Sequence, residues 1–214
     1  MSEIRHIVFD IGNVLLRWDP EIPFRRLIPD DRERQRFLAE ICTHDWNLEQ
    51  DRGRSWADAE TELIAQFPEQ EARIRAWRAH WHEMVPGSLE ETPGILDQLI
   101  SNGHDVTALT NFAEDTFIEA QERFPYLRRF RGVTVSGRVA LVKPEPEIYR
   151  LHADTFGLTP AATLFFDDNA ANVEGARAAG WQAEQFIDAA TMRADLARHG
   201  IELDRIAVDG VPNA

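Results

Sequence analysis

Val8-Phe9-Asp10-Ile11-Gly12-Asn13-Val14 sets an apolar run against an acid, a glycine and an amide, and Leu164-Phe165-Phe166-Asp167-Asp168-Asn169 repeats the arrangement far down the chain. An apolar run of this length, bounded by polar and glycine residues, reads as a fully buried strand of a parallel sheet. Open α/β sheets bind ligands beyond the carboxyl ends of their strands, so three carboxylates on two such ends converge on one point. Apposed carboxylates raise each other's pKa and are tolerable only with a cation or a shared proton. Mg²⁺, a hard ion satisfied by oxygen ligands, is the natural candidate. Read in isolation, any one of these acids is as readily a helix N-cap.

Working outward, Asp105-Val106-Thr107-Ala108-Leu109-Thr110-Asn111 is a further strand that ends in a hydroxyl and an amide. Leu141-Val142-Lys143-Pro144-Glu145-Pro146 puts a lysine just before a proline-started helix. Strands near 105–110, 132–136, 162–167 and 182–187 alternate with helices near 113–123, 145–156, 170–179 and 189–199. That alternation predicts a doubly wound, Rossmann-like parallel sheet. Thr92-Pro93-Gly94 opens a helix that Asn102-Gly103 closes.

Residues 17–88 break the pattern: they offer helices near 30–41, 55–67 and 69–84 and no strand. Ser55 is the N-cap of the middle helix and Pro68 its end, while Ile74, Trp77, Trp81 and Met84 form an amphipathic stripe on the last. The expected organisation is an α/β core of residues 1–16 and 89–214 with an inserted helical cap of residues 17–88. Its two connections, near Leu16-Arg17 and Pro86-Gly87-Ser88, are expected at the acidic end of the sheet, as a lid requires.

Asp10, then Thr110-Asn111, then Lys143-Pro144, then Asp167-Asp168, in that order, resembles the four motifs of the haloacid dehalogenase-like (HAD) hydrolase superfamily. The stretches FDIGNVLL, KPEPEIY and FFDDNAANVEGARAAG look closest to its alpha-D-glucose-1-phosphate phosphatase-like subgroup, and the resemblance runs from about Ile7 to Trp181. It implies an Mg²⁺-dependent phosphatase acting on a small phosphorylated metabolite, such as a sugar phosphate, through an aspartyl-phosphate intermediate. In that reading Asp10 is the nucleophile, and Asp10, the backbone carbonyl of Gly12, Asp167 and Asp168 hold the metal, with Asp168 ranked above Asp167. Thr110 and Asn111 bind the transferred group through hydroxyl and amide, and Lys143 supplies a point charge for the phosphoryl oxygens and the nucleophile. Asn169 and Asn172 are expected to orient the acids or simply to cap a helix.

One departure from the family pattern concerns proton transfer. Its phosphatases typically carry a second Asp two residues after the nucleophile, as acid for the leaving group and base for water; this chain has Gly12 there. The subgroup shares the FD-x-GN pattern. Either the substrate's leaving oxygen needs little protonation, as in anomeric or acyl phosphates, or a cap residue such as His44 delivers the proton. Of the tryptophans, Trp77 and Trp81 are expected in the cap core, and Trp18 and Trp46, off the helical stripes, at a pocket. His44, His80 and His82 read first as surface or packing residues.

Two competing readings keep the same Asp10. One is a dehalogenase that attacks carbon; such enzymes need no metal, and the acidic pair disfavours them. The other is a non-catalytic metal- or phosphate-binding protein. A net charge of −14 repels nucleic acids, and no apolar stretch is long enough to span a bilayer. The single cysteine, Cys42, permits no intrachain disulfide, and MSEIRH lacks a signal-peptide core; both agree with a cytoplasmic protein. The oligomeric state stays open.

Overall fold

The computed structural model describes residues 3–204; residues 205–214 of the expected core lie outside the described residues. Five strands form one sheet: β1 (His6–Phe9), β2 (Asp105–Thr110), β3 (Val133–Val135), β4 (Thr163–Asp167) and β5 (Gln182–Gln185). Every neighbouring pair is parallel, and the order is β3-β2-β1-β4-β5. The chain therefore walks outward from β1 on one side, then crosses back to place β4 on the other. This is the doubly wound arrangement that the alternation predicts, and its switch point lies between β1 and β4.

Period-two alternation gives each strand a residue for either face. Ile7, Phe9, Ala108, Leu164 and Phe166 belong to one apolar core, while Val8, Leu109 and Phe165 pack in a second with Ile148, Tyr149 and Val173. Those last three come from α10 (Pro146–Phe156) and α11 (Ala170–Ala178). Phe9 is completely buried, with its ring 6.2 Å from Phe130 and 5.9 Å from Phe166. Phe9→Ala is expected to lower stability by about 3–5 kcal/mol, measurable by urea unfolding.

Between β1 and β2 lie α1 (Glu21–Leu27), α2 (Asp31–Glu40), α3 (His44–Asp51), α4 (Trp56–Gln66), α5 (Glu71–Ala79), α6 (Trp81–Met84) and α7 (Thr92–Ser101). The remaining helices are α8 (Glu114–Arg123), α9 (Ser136–Val139) and α12 (Ala189–Arg198). Three of these differ from expectation by being present at all: α1, α3 and the four-residue α9, which begins at Ser136 where the strand was expected to end. Helix α1 starts at Pro20 without a side-chain cap, and α3, of sequence HDWNLEQD, has no apolar stripe to reveal it. Its helicity rests on Thr43, whose hydroxyl accepts the Trp46 N–H at 3.0 Å, and on tertiary packing. The helix expected over 69–84 is split: α5 stops at Ala79, and His80, whose ring meets Glu83 at 2.7 Å, starts the short α6. Ser55 does cap α4, accepting from the Asp58 N–H at 3.1 Å.

The chain leaves and re-enters this helical segment through two strands of backbone that touch each other. Leu16 bridges Ser88, Arg17 N–H donates to the Gly87 carbonyl at 2.9 Å, and Leu89 N–H donates to Leu15 at 2.9 Å. No described helix is long and apolar enough to cross a membrane.

Candidate active site

The site follows from strand register. Phe9 pairs with Phe166 across β1 and β4, so the next residues, Asp10 and Asp167, must emerge side by side. Asp10 N–H donates to the Phe166 carbonyl at 2.9 Å, which extends the pairing by one step. Adjacent strands are about 4.8 Å apart, so two carboxyls on the same face are forced into contact range. Asp10, Asp167 and Asp168 each offer an oxygen within 4.8 Å of the others.

Lys143 is inserted among them. It is the only lysine of the chain, and its ammonium lies 2.8 Å from Asp10 Oδ1 and 2.6 Å from Asp167 Oδ2. Lys143 is 2 % exposed, Asp10 7 % and Asp167 fully buried. The ammonium also sits 5.4 Å from the centroid of the Phe165 ring, a cation–π contact on the same face. Burial alone would drive the proton off; the two facing carboxylates reverse that and raise its pKa. Burial pushes the Asp10 carboxyl up to about 7, and Asp167 and Asp168 add to the rise against the opposing Lys143. Three carboxylates face one ammonium, an excess of negative charge that matches a divalent cation bound by oxygen ligands.

The supporting shell is specific. Asp167 spends its lone pairs on protein: Oδ1 accepts from Asn169 N–H at 2.8 Å and Asn172 Nδ2 at 3.0 Å, and Oδ2 takes Lys143. Asp168 is less buried and accepts from Asn13; burial is the main cause of its raised pKa. Asn13 adopts φ +51°, a left-handed conformation that asparagine tolerates, and its Oδ1 also accepts from Trp18 N–H at 2.9 Å. Thr110 is buried at the end of β2, and its hydroxyl has no protein partner among the described residues. Asn111 is largely occupied elsewhere, because Oδ1 accepts Lys143 N–H at 2.8 Å and Nδ2 donates to the Lys143 carbonyl at 3.0 Å. It fixes the backbone of the lysine, a use that the strand-end reading does not foresee. At Gly12 an added Cβ would meet nothing within 4 Å.

Gly12 and Asn111 open into a cavity of about 90 Å³ roofed by the helical segment. Trp18, Trp56, Trp81 and Phe112 give it aromatic walls, and Asn47, Asp51 and Arg17 its polar groups. Trp18 lines it as expected; Trp46 does not, being turned against Trp56 and Trp77 at 6.1 and 5.7 Å. Trp81, expected in the core, is both 3 % exposed and part of the wall. His44 is a surface residue, its side chain 80 % exposed, and the alternative of a proton donor fails because it lines a different depression with Pro20, Leu38 and Cys42. Asp51 was missed, since an acid at the end of an unpredicted helix carries no local signal. It is partly buried in the cavity wall, and burial pushes its carboxyl up to about 7. Asn13 was missed as well, although it stands within the quoted first motif.

Fold and site together define a Rossmann-like α/β protein with a carboxylate–lysine centre at its switch point. The chain belongs to the haloacid dehalogenase-like hydrolases, whose family model matches residues 4–180, and it is a hydrolase. A stretch of 100 residues is 36% identical to Protein CbbY of Rhodobacter capsulatus, covering 45% of this chain and 42% of that one. The match thus spans less than half the length of this curated relative. A HAD family enzyme of Bacteroides thetaiotaomicron, bt-2542, solved in complex with magnesium and inorganic phosphate, has a TM-score of 0.65 at 21% identity, over 87% of this chain and 96% of that one. L-2-haloacid dehalogenase of Xanthobacter autotrophicus, with chloropropionic acid covalently bound, has a TM-score of 0.65 at 18% identity, over 91% and 83%. At these identities the two structures share the fold with this chain.

Proposed function

We propose that this hydrolase is an Mg²⁺-dependent phosphatase of a small phosphorylated metabolite, a sugar phosphate of the kind the FD-x-GN subgroup takes. The observation that carries this reading is the convergence of Asp10, Asp167 and Asp168 within 4.8 Å around Lys143. A dehalogenase attacking carbon has no use for an acidic pair that collects a cation. The helical segment of residues 17–88 acts as the cap, and its aromatic walls suit the face of a sugar ring.

Asp10, Asp168 and the Gly12 carbonyl would hold the metal, and Asp167, whose oxygens are taken by Lys143, Asn169 and Asn172, would contribute to it mainly through its charge. When bound, Mg²⁺ supplies positive charge that offsets repulsion between a phosphoryl group and a carboxylate. Asp10 attacks phosphorus and forms an aspartyl-phosphate, dividing one hard displacement into two easier ones. Lys143 holds Asp10 in its carboxylate form and neutralises phosphoryl oxygens. Thr110 donates its unpaired hydroxyl to the transferred group. Asn111 keeps Lys143 in place.

The test runs p-nitrophenyl phosphate beside 2-chloropropionate, with Mg²⁺ and with excess chelator. Phosphate release that needs Mg²⁺ is expected; chloride release insensitive to chelator would install the dehalogenase reading instead. A panel of phosphorylated metabolites then ranks substrates. The two acids should separate by their roles. Asp168→Ala is expected to raise the Mg²⁺ concentration for half-maximal activity by at least about tenfold. Asp167→Ala should instead lower the melting temperature more, because it strips a partner from the buried Lys143.

A further inference from the structure

Asp51 lines the cavity into which Gly12, the position without an acid in the Asp10 loop, also opens. It closes α3, and each of its polar atoms is held. Oδ1 accepts Ala113 N–H at 3.1 Å, Oδ2 accepts Asn47 Nδ2 at 3.1 Å, and its carbonyl accepts the Ser136 hydroxyl at 2.5 Å. Just beyond, Gly53 at φ +110° lies against Gly137, where an added Cβ would come within 3.0 Å of the Gly137 carbonyl. That approach is closer than side chains normally allow, so the glycine pair lets the end of α3 wedge into the turn after β3. Arg52 pins the same end, bonding Glu145 at 2.7 and 3.0 Å, two residues from Lys143. The helical segment is thereby fastened so that Asp51, Gly12 and Asn111 line one cavity.

We infer that Asp51 is the general acid and base of the reaction, carrying the proton that an acid at position 12 carries in other members of the family. The inference rests on the phosphatase reading. In the first half-reaction the Asp10 oxygen bonds to phosphorus as the ester P–O bond breaks, and the Asp51 proton passes to the departing oxygen. In the second, the Asp51 carboxylate takes a proton from water while that water's oxygen bonds to phosphorus. The bond between phosphorus and the Asp10 oxygen then breaks, phosphate leaves, and Asp51 is protonated again. A carboxyl lifted towards neutrality exists in both forms at working pH, as this cycle needs. The charged groups around it are few: Arg17 in the cavity wall, Arg52 paired with Glu145, and Glu114 paired with Arg138. The Ala113 N–H and the Asn47 amide leave each Asp51 oxygen a second lone pair for the proton or the substrate.

The experiment is a leaving-group series, from acetyl phosphate and p-nitrophenyl phosphate to alkyl phosphates, under conditions where chemistry limits the rate. Wild type should show shallow dependence on leaving-group pKa. In the first turnover, Asp51→Asn should leave release from acetyl phosphate within about threefold and slow release from alkyl phosphates by about 10²–10⁴-fold, while hydrolysis of the Asp10 phosphoryl intermediate slows equally for every substrate. Gly12→Asp on the Asp51→Asn background should recover at least about tenfold on the alkyl esters, since an added Cβ there meets nothing within 4 Å. A uniform loss of first-turnover release across the series would mean that Asp51 only fastens the helical segment, and would overturn the inference. Steep dependence in wild type would overturn it without recourse to any variant. Asp10→Asn run in parallel separates the two levels. If that variant retains activity, or if wild type cleaves no phosphate ester, the phosphatase reading falls and Asp51's role with it.

Discussion

Asp10→Asn is expected to reduce phosphate-ester turnover to below a hundredth of wild type while leaving the fold intact. The amide has nearly the shape of the carboxylate but is a far weaker nucleophile, and covalent catalysis cannot proceed through it. Its oxygen can still accept the Ile11 N–H that Asp10 accepts at 2.7 Å, so the loop after β1 keeps its anchor. Replacing one of three clustered carboxyls by a neutral group also relieves repulsion. The melting temperature should therefore be unchanged or slightly higher. Steady-state kinetics at saturating Mg²⁺, beside a thermal melt, gives both readings. Turnover above a hundredth of wild type would remove Asp10 as nucleophile.

Lys143→Met is expected to produce the second largest effect, on stability as well as on rate. Among the described residues the ammonium is the one cation paired with Asp10 and Asp167, and the slot that holds it is 1% exposed at the side chain. Taking one partner out of a buried ionic cluster leaves uncompensated charge, at a cost of about 3–5 kcal/mol. The sign of the pH dependence follows. Without the lysine the folded-state pKa of the facing Asp10 carboxyl rises further above its unfolded value, so stability is retained at low pH and lost as pH rises. Urea unfolding at pH 5 and pH 8 should show the larger deficit at pH 8. Mg²⁺ should stabilise the variant more than wild type, because it supplies part of the missing charge. Turnover should fall by about 10²–10³-fold, as for loss of one preorganised charge-stabilising group. Equal deficits at both pH values would show that packing, not charge, explains the loss.

The legible and the illegible parts of this protein divide by the range of the interactions that make them. Strands ending at Thr110 and Asp167 could be read because a fully buried strand is an uninterrupted apolar run with an abrupt polar end. The helical segment could be read as helical from the stripe Ile74, Trp77, Trp81, Met84, yet α1 and α3 escaped, since neither carries a periodic apolar face. Asn111 was legible as a strand-end amide but not as the clamp on Lys143, because its partner stands 32 residues away. Trp46 was misplaced for the same reason: which way it faces depends on how α3 packs, which no local pattern encodes.

The sequence by itself determined that this chain is a doubly wound α/β protein with acids at two strand ends and a lysine ahead of a helix, and its resemblance to a known family implied a hydrolase. Composition, periodicity and motif order are local properties, and they suffice for that. Only the tertiary structure decided that Phe9 registers with Phe166, which brings Asp10 against Asp167 and closes both on Lys143. Only the packing of Gly53 on Gly137 decided that Asp51 joins the cavity of Gly12. Register and helix docking are settled by contacts between residues remote in sequence, where burial and close packing select one arrangement from many that the local chain would accept equally.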